Sequence, residues 1–174
     1  MRIVAGSRKG ARISAPKGRD TRPTSDRVRE AAFAILGSVE GASVLDLFAG
    51  SGALGLEALS RGAESAVLVE NDPAAIAAIE RNLEKLQLEG ASLVRSDALL
   101  YLARTAERFD VVFLDPPYEM VESLRMPLAE HLPHALAPDG LVVYETAAGV
   151  QPGLPLSIQS TRRHGSTQLT VFET

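Results

Sequence analysis

The tetrapeptide Asp115-Pro116-Pro117-Tyr118 combines residue types that few kinds of chemistry require together. It follows the apolar run 111–114, which is typical of a buried parallel strand, so it should lie at the strand's carboxyl end, where open α/β sheets bind ligands. Asp115 and the Pro116 carbonyl can each accept a hydrogen bond from an amine, and Tyr118 offers a flat ring for stacking a base. The prolines fix φ and lack N–H groups, so the turn is rigid. These properties favour methyl transfer to an exocyclic amine, although a strand followed by an ordinary turn uses similar residues.

A glycine-rich segment, residues 46–55, links a predicted strand to a predicted helix and contains the pattern Gly-x-Gly-x-x-Gly. Its glycines let a ligand approach the backbone, and a helix N-terminus favours negative charge, so a dinucleotide pyrophosphate is one interpretation. Asp46 opposes that interpretation because its carboxylate would repel phosphate. S-adenosylmethionine carries a sulfonium and an ammonium group and no phosphate, so the acid favours it as the cofactor. A tight strand-to-helix turn without any ligand is the remaining alternative.

Two further acids follow predicted strands. Glu70 closes the second strand, at the distance after the glycines where an acid binds ribose hydroxyls, and Asp97 follows the third strand, where it could contact an adenine amino group. Each acid could instead cap the helix that follows it or stabilise the positive end of that helix's dipole. Asp72 could also do this for the helix after the second strand. The predicted cofactor site as a whole comprises Asp46, Phe48, Gly50, Ser51, Gly52, Glu70, Asn71, Asp97 and Ala98.

The net charge of −4 is unevenly distributed. Residues 1–29 hold nine Lys/Arg and two Asp, a net +7, whereas the rest of the chain holds nine Lys/Arg and twenty Asp/Glu, a net −11. A basic arm on an acidic body can contact a phosphate backbone, although a solvated basic terminus has the same composition. Arg27 could alternatively pair with acids along its own helix. The candidate nucleic-acid contacts are Arg8, Lys9, Arg12, Arg22, Thr24 and Arg27.

The apolar pattern predicts alternating strands and helices. A first helix should be capped by Thr24 or Ser25 and end at Gly37, and proline residues should break a later helical pattern at Pro127 and Pro133. Segments 156–161 and 167–172 are joined by so short a loop that they must form an antiparallel hairpin. We therefore predict a mostly parallel, doubly wound α/β sheet with a reversed edge. The predicted strands before that hairpin are 44–47, 66–70, 93–94, 111–114 and 141–144, and the helices between them include 53–61 and 73–88.

Length and composition limit the remaining possibilities. A chain of 174 residues is long enough for one domain. We predict a basic arm or hairpin over residues 1–22, outside the core, and a single domain over residues 23–174. The absence of cysteine excludes disulfides and thiolate metal sites, and the three histidines show no metal-ligand spacing, so we expect no metal. No stretch is long and apolar enough to span a membrane. We expect a cytoplasmic monomer without a membrane partner.

With these residues assembled, the chain resembles the bacterial RsmD family, the guanine-N2 methyltransferases of small-subunit ribosomal RNA. The resemblance runs nearly end to end, and Arg-Pro-Thr with Asp-Arg-Val-Arg-Glu is its most family-specific part. One departure is Gly10-Ala11-Arg12, where the family pattern has Gly-Arg. The matching segments are the basic arm, 22–24, 26–30, 47–62, the tetrapeptide at Asp115, and Gly165-x-Thr167-x-Leu169.

The resemblance implies a Rossmann-like S-adenosylmethionine-dependent methyltransferase fold with a seven-stranded sheet and an N-terminal β-hairpin arm. It implies S-adenosylmethionine as the methyl donor, with S-adenosylhomocysteine as product, and a guanine of 16S rRNA in an assembled or assembling 30S particle as the target. Asp115 and Tyr118 would contact that base, and in our hypothesis the Pro116 carbonyl joins Asp115 in accepting hydrogen bonds from its N2 amine, so the predicted catalytic residues are Asp115, Pro116 and Tyr118. Methylation of a DNA adenine or cytosine or of another RNA, and a non-catalytic RNA-binding role, remain alternatives. A protein glutamine methyltransferase typically has Asn in place of Asp115.

Overall fold

The structure, a computed structural model, describes residues 1–16 and 25–174. These residues build a seven-stranded sheet with the strand order β3-β2-β1-β4-β5-β7-β6. Strands β1 to β5 are parallel to one another, whereas β7 runs antiparallel to both β5 and β6. The strands are β1 (Ser43–Asp46), β2 (Ser65–Glu70), β3 (Ala91–Arg95), β4 (Phe109–Leu114), β5 (Leu136–Ala147), β6 (Ser157–His164) and β7 (Thr167–Glu173). This topology confirms the predicted mostly parallel α/β sheet with its antiparallel C-terminal hairpin.

Helices cover both faces of this sheet. On one face α1 and α2 pack against the central strands through Phe33 and Leu59, and on the other α4 and α5 pack through Leu102 and Leu124. The helices are α1 (Asp26–Leu36), α2 (Ala53–Ser60), α3 (Pro73–Leu86), α4 (Ala98–Leu102) and α5 (Val121–His131), with two 3-10 turns at Tyr118–Met120 and Leu132–Ala135. The strand order reverses between β1 and β4, which is where sheets of this kind bind ligands. None of the helices in the described ranges is both long enough and apolar enough to cross a membrane.

The bounds of helix α1 match the capping signals in its sequence. The Ser25 hydroxyl accepts a hydrogen bond from the Val28 amide at 3.2 Å, and Asp26 lies in the first turn. Gly37 ends the helix with a φ of 76°, a left-handed value that glycine adopts without the steric cost of a Cβ atom. The predicted helix is confirmed, with Ser25 as its N-cap.

Pro127 does not break helix α5, so that prediction was wrong. The helix continues through it to His131 and only then tightens into the 3-10 turn that contains Pro133. A proline inside a helix removes one backbone hydrogen bond. The buried side chains of Val121, Leu124 and Leu128 compensate, because they anchor α5 to the sheet on both sides of the proline.

The N-terminal arm, defined here as residues 1–16, contributes to the core, contrary to our expectation. Ile3 is 0% and Ile13 5% exposed, and both pack in a cluster with Leu56 and Ile79 of helices α2 and α3. The predicted hairpin is reduced to an isolated antiparallel bridge between Arg2 and Arg12. Two aliphatic side chains among cations are enough to bury one side of the arm and leave its charges outside.

A buried carboxylate fastens the arm to the domain. Glu57 of α2, which is 0% exposed, accepts hydrogen bonds from the Val4 and Ala5 amides at 2.8 and 2.9 Å. It also forms ion pairs with Arg61 at 2.8 Å and with the fully buried Arg29 at 3.4 Å. Because a buried charge that loses its partners is strongly destabilising, this network should hold the arm firmly in place.

Substituting Gly6 should detach the arm from α2. Gly6 has a φ of +82°, and a Cβ atom there would overlap the backbone carbonyl of Ser60, which cannot move without distorting the helix. We therefore expect Gly6→Ala to lower the free energy of unfolding and to increase amide hydrogen exchange in residues 1–16. Gly10→Ala is the matched control, because its φ is +83° but no atom lies within 4 Å of the added carbon. It should cost only the strain of a left-handed alanine, about 1–2 kcal/mol. Equal effects of the two substitutions would contradict the packing argument.

Candidate active site

Four acids predicted from the sequence lie along one edge of the sheet. Asp46 ends β1, Glu70 ends β2, Asp97 follows β3 and Asp115 directly follows β4. These strands are neighbours in the order β3-β2-β1-β4 and run parallel, so their carboxyl ends meet. Within residues 1–16 and 25–174, no group of three or more His, Asp or Glu side chains is arranged to hold a metal ion. The edge therefore gathers four acids around the point where the strand order reverses.

Each glycine of the loop between β1 and α2 has an identifiable structural role. Gly50 and Gly52 adopt left-handed φ values of 56° and 77°, and Gly52 caps the start of α2. Gly55 lies inside α2, where a Cβ atom would overlap the Leu68 side chain and contact Asp46. Two glycines thus form the turn, and the third brings the helix close to β2.

Asp46 is the most electrostatically unusual residue of the site. It is 1% exposed, and one oxygen, Oδ2, accepts a hydrogen bond from the Gly55 amide at 3.0 Å. The other oxygen, Oδ1, is buried without a hydrogen-bond partner among the described residues. Burial raises the pKa of Asp46 to about 7, with smaller contributions from the charges of Asp115 and Glu70, although the Gly55 hydrogen bond lowers it. None of the causes of this shift is a cation among the described residues, so a positive charge bound beside Asp46 would lower its pKa.

Glu70 joins the glycine loop to the turn after β2. One of its oxygens accepts a hydrogen bond from the Gly50 amide at 2.8 Å, and the other accepts from the Asn71 and Asp72 amides at 2.8 and 2.9 Å. Asp72 caps helix α3 by accepting from Ala74 and Ala75. Glu70 is therefore not needed as a helix cap, and its carboxylate fixes the loop beside the ends of β1 and β2.

Asp97 caps helix α4, the alternative that its sequence position left open. Its Oδ1 accepts a hydrogen bond from the Leu100 amide at 3.0 Å, and the residue is exposed beside Ala98, the first residue of the helix. A cap uses one carboxylate oxygen, so contact with an adenine amino group stays a prediction.

The tetrapeptide forms a turn anchored by its tyrosine. Pro116 is buried and Asp115 half-buried, and a 3-10 turn begins at Tyr118. The Tyr118 hydroxyl lies 3.0 Å from Thr167 Oγ1 at the start of β7 and 3.5 Å from Glu145 Oε1 in β5. These contacts fix the hydroxyl end of the Tyr118 ring, and stacking of the ring against a base stays a prediction.

A small pocket of about 130 Å³ is lined by Thr167, which contacts the Tyr118 hydroxyl. It brings together the start of α1, where Arg27 lies, and the family-like segment Gly165-x-Thr167. Glu145 also lines it, and sequence reasoning missed that residue. The available signal was an acid near the end of the apolar strand segment 141–144, the same type of position that led us to Asp115.

The candidate nucleic-acid contacts occupy different environments. Lys9, Arg12 and Arg27 are exposed, whereas the Arg8 guanidinium donates to the Leu86 and Gln87 carbonyls at 2.6 and 3.3 Å. Arg8 thereby satisfies carbonyls at the C-terminal end of α3. Two further candidates, Arg22 and Thr24, lie outside the described residues.

Asn82 links the arm to the glycine loop and was also missed. This fully buried residue accepts a hydrogen bond from the Ser14 amide at 2.7 Å and donates to the Ser14 carbonyl at 3.0 Å. Its amide group also donates to the Ser51 carbonyl at 2.9 Å. The sequence signal was a polar residue on the buried face of α3, between Ile79 and Leu86.

The fold and its ligand-binding edge define a class, the Rossmann-like S-adenosylmethionine-dependent methyltransferase fold. A solved structure of a hypothetical protein from Thermus thermophilus is similar, with a TM-score of 0.86 and 35% identity, covering 100% of this chain and 99% of that one. The structure of the putative methyltransferase yhhF from Escherichia coli has a TM-score of 0.84 and 34% identity, covering 99% and 97% of the two chains.

The family follows from sequence comparison. The family model described as Conserved hypothetical protein 95 matches residues 1–173. The putative rRNA methyltransferase YlbH of Bacillus subtilis is 42% identical over 183 residues, covering 99% of this chain and 98% of that protein. Ribosomal RNA small subunit methyltransferase D of Escherichia coli K12 is 44% identical over 119 residues, covering 68% of this chain and 60% of that protein. The chain therefore belongs to this family, the RsmD family that its motifs resemble.

Proposed function

We propose that this protein transfers a methyl group from S-adenosylmethionine to the exocyclic N2 amine of a guanine in 16S rRNA, within an assembled or assembling 30S particle. The observation that carries the proposal is the position of Asp115, which follows β4 beside the end of β1, where the glycine loop begins. An amine acceptor and a cofactor loop are thus adjacent at the switch point of the sheet. The names of the Bacillus subtilis and Escherichia coli relatives support rRNA as the substrate class.

The glycine loop and the acids around it are the proposed cofactor site. When bound, S-adenosylmethionine supplies a methyl group activated by a sulfonium. Asp46 and Glu70 provide the negative potential that favours such a cation, and the absence of side chains at Gly50 and Gly52 lets the cofactor approach the backbone. Phe48, Ser51, Asn71, Asp97 and Ala98 complete the proposed site.

Asp115, Pro116 and Tyr118 are the proposed catalytic residues. An enzyme that acts on a base must turn it out of its stack, and Tyr118 would then stack on the everted guanine. Asp115 and the Pro116 carbonyl would accept hydrogen bonds from the N2 amine and direct its lone pair at the methyl group. The new N–C bond forms as the S–C bond breaks, and the amine loses one proton, for which Asp115 is the adjacent acceptor. Orientation rather than a covalent intermediate would supply most of the rate enhancement.

The exposed cations Lys9, Arg12 and Arg27 are proposed to contact the rRNA backbone, together with Arg8, Arg22 and Thr24. Binding through phosphate contacts releases counterions, so affinity for the particle should fall steeply as salt increases. This role would explain why the N-terminal residues are basic although the rest of the protein is acidic.

The decisive experiment incubates the protein and labelled S-adenosylmethionine with 30S particles from a strain that lacks this methylation. We expect one labelled N2-methylguanine in 16S rRNA, and the family resemblance points to a target of the guanine 966 type. The control is the same reaction with naked duplex DNA, which should remain unlabelled. Labelled DNA would favour a DNA amino-methyltransferase, and tight 30S binding without cofactor binding would favour a non-catalytic assembly protein.

A further inference from the structure

A second carboxylate lies beside the catalytic turn. In the parallel pairing of β4 with β5, Leu114 is opposite Tyr144, so the next residues, Asp115 and Glu145, are neighbours across the two strands. Phe113 and Val143, two residues earlier, share one apolar cluster with α1. Side chains alternate along a strand, so Asp115 and Glu145 face the same side of the sheet as that cluster.

Glu145 has a defined position at the edge of the proposed base site. It is 8% exposed, its Oε1 lies 3.5 Å from the Tyr118 hydroxyl, and it lines the 130 Å³ pocket together with Thr167, the other partner of that hydroxyl. The same pocket carries potential donors, Arg27 and His164. A base that stacks on Tyr118 and extends its edge past the hydroxyl into this pocket would meet the Glu145 carboxylate and, on another wall, the Arg27 and His164 side chains.

This combination matches the hydrogen-bonding edge of guanine. Beside the N2 amine, guanine presents the N1–H donor and then the O6 acceptor, whereas adenine has an acceptor at N1 and cytosine an acceptor at N3. An ionised carboxylate only accepts hydrogen bonds, so it pairs with N1–H and repels a ring nitrogen lone pair. Repulsion between a carboxylate and a ring nitrogen lone pair disfavours a base that carries an acceptor at this position, and rejecting the wrong partner in this way is a common source of specificity.

We propose that Glu145 is a specificity-determining residue that accepts the N1–H of the target guanine while Asp115 holds the N2 amine. The inference rests on the proposed function and extends it from an amine acceptor to the identity of the base. Glu145 distinguishes guanine from other bases, whereas Asp115 and its turn act in the methyl transfer.

The test uses reconstituted 30S particles that carry either guanine or 2,6-diaminopurine at the mapped target position. Diaminopurine keeps the N2 amine but has an acceptor at N1, so the wild-type protein should strongly prefer guanine. Glu145→Gln preserves the shape of the side chain and adds an amide donor that can pair with that acceptor. We expect its preference for guanine, measured as the ratio of kcat/KM values, to fall by roughly tenfold or more.

Thr167→Val is the matched control, because it removes the other hydroxyl partner of Tyr118 without touching an acceptor for N1–H. It should lower kcat/KM on both particles by the same factor and leave the ratio unchanged. An unchanged ratio in Glu145→Gln, or total loss of methylation on both particles with normal S-adenosylmethionine binding, would overturn the role of Glu145. If the wild-type protein fails to methylate the guanine particle, the proposed function itself is wrong.

Discussion

Asp115→Ala is expected to lower kcat for methyl transfer to 30S particles by roughly 10²–10³-fold, the usual cost of removing one oriented hydrogen-bonding group at the reacting atom. Binding of S-adenosylmethionine should change little. The substitution removes a negative charge near the cofactor site, but that same charge raises the pKa of Asp46, so Asp46 becomes more fully ionised and compensates. Single-turnover methylation and calorimetric titration with S-adenosylmethionine measure the two effects separately.

Two variants sharpen this prediction. Asp115→Asn keeps an acceptor oxygen but is far less basic, so intermediate activity would assign hydrogen bonding as the main role of Asp115 and leave proton acceptance a smaller part. Asp110 lies on the same strand and bonds the Ser43 amide and hydroxyl at 2.7 Å, far along β4 from the tetrapeptide. Asp110→Ala should leave kcat unchanged. Full activity of Asp115→Ala would remove this residue from the mechanism.

The sheet and its helices could be predicted because their signals are local. The serine cap at Ser25, the left-handed Gly37 and the apolar strand before Asp115 each specify an element end within a few residues. The short connection between β6 and β7 required an antiparallel pair for geometric reasons alone. Consistent local signals of this kind are sufficient to determine an alternating α/β fold.

The docking of the arm could not be predicted because its partners are distant in sequence. Val4 meets Glu57 across 53 residues, and Ser14 meets Asn82 across 68. A charged residue inside a short helix suggests solvent exposure, yet Glu57 is fully buried because two guanidinium groups and two backbone amides satisfy its charge. Only the tertiary structure reveals that compensation.

In the candidate site too, some residues could be predicted from local sequence signals and others depend on the tertiary structure. A motif at a strand end placed Asp115 correctly because all parallel strands present their carboxyl ends at one edge. Glu145 was missed because the register of β4 against β5 is set by packing, and neither strand's sequence alone reveals it. Asp46 was predicted to attract a cation, but its hydrogen bond to Gly55 and its elevated pKa depend on how closely α2 approaches β1.

Asp46→Asn is expected to stabilise the protein without cofactor while weakening S-adenosylmethionine binding. Burial raises the pKa of Asp46 from 3.8 to about 7, so above pH 7 the folded state holds a charge that the unfolded state accommodates better. That charge costs stability on the order of 4 kcal/mol, and asparagine removes it while keeping an acceptor for the Gly55 amide. We expect a higher thermal midpoint for the variant at pH 8. The difference should shrink as the pH falls below 7 and disappear only below the ordinary pKa of 3.8, where the Asp46 carboxyl is protonated in the folded and the unfolded state alike.

Cofactor binding should show the opposite consequence of the same charge. A cationic ligand favours ionised Asp46, so below pH 7 binding must release the proton that the folded protein holds there. The wild-type Kd for S-adenosylmethionine should therefore rise by up to roughly tenfold for each pH unit between 7 and 5, as proton linkage requires. Asp46→Asn has no proton to release, so its Kd should be weaker by about 10²-fold at pH 8 and nearly constant with pH. Calorimetric titrations of both proteins from pH 5 to pH 8 measure these slopes, and parallel slopes would show that Asp46 does not face the positive charge of the cofactor.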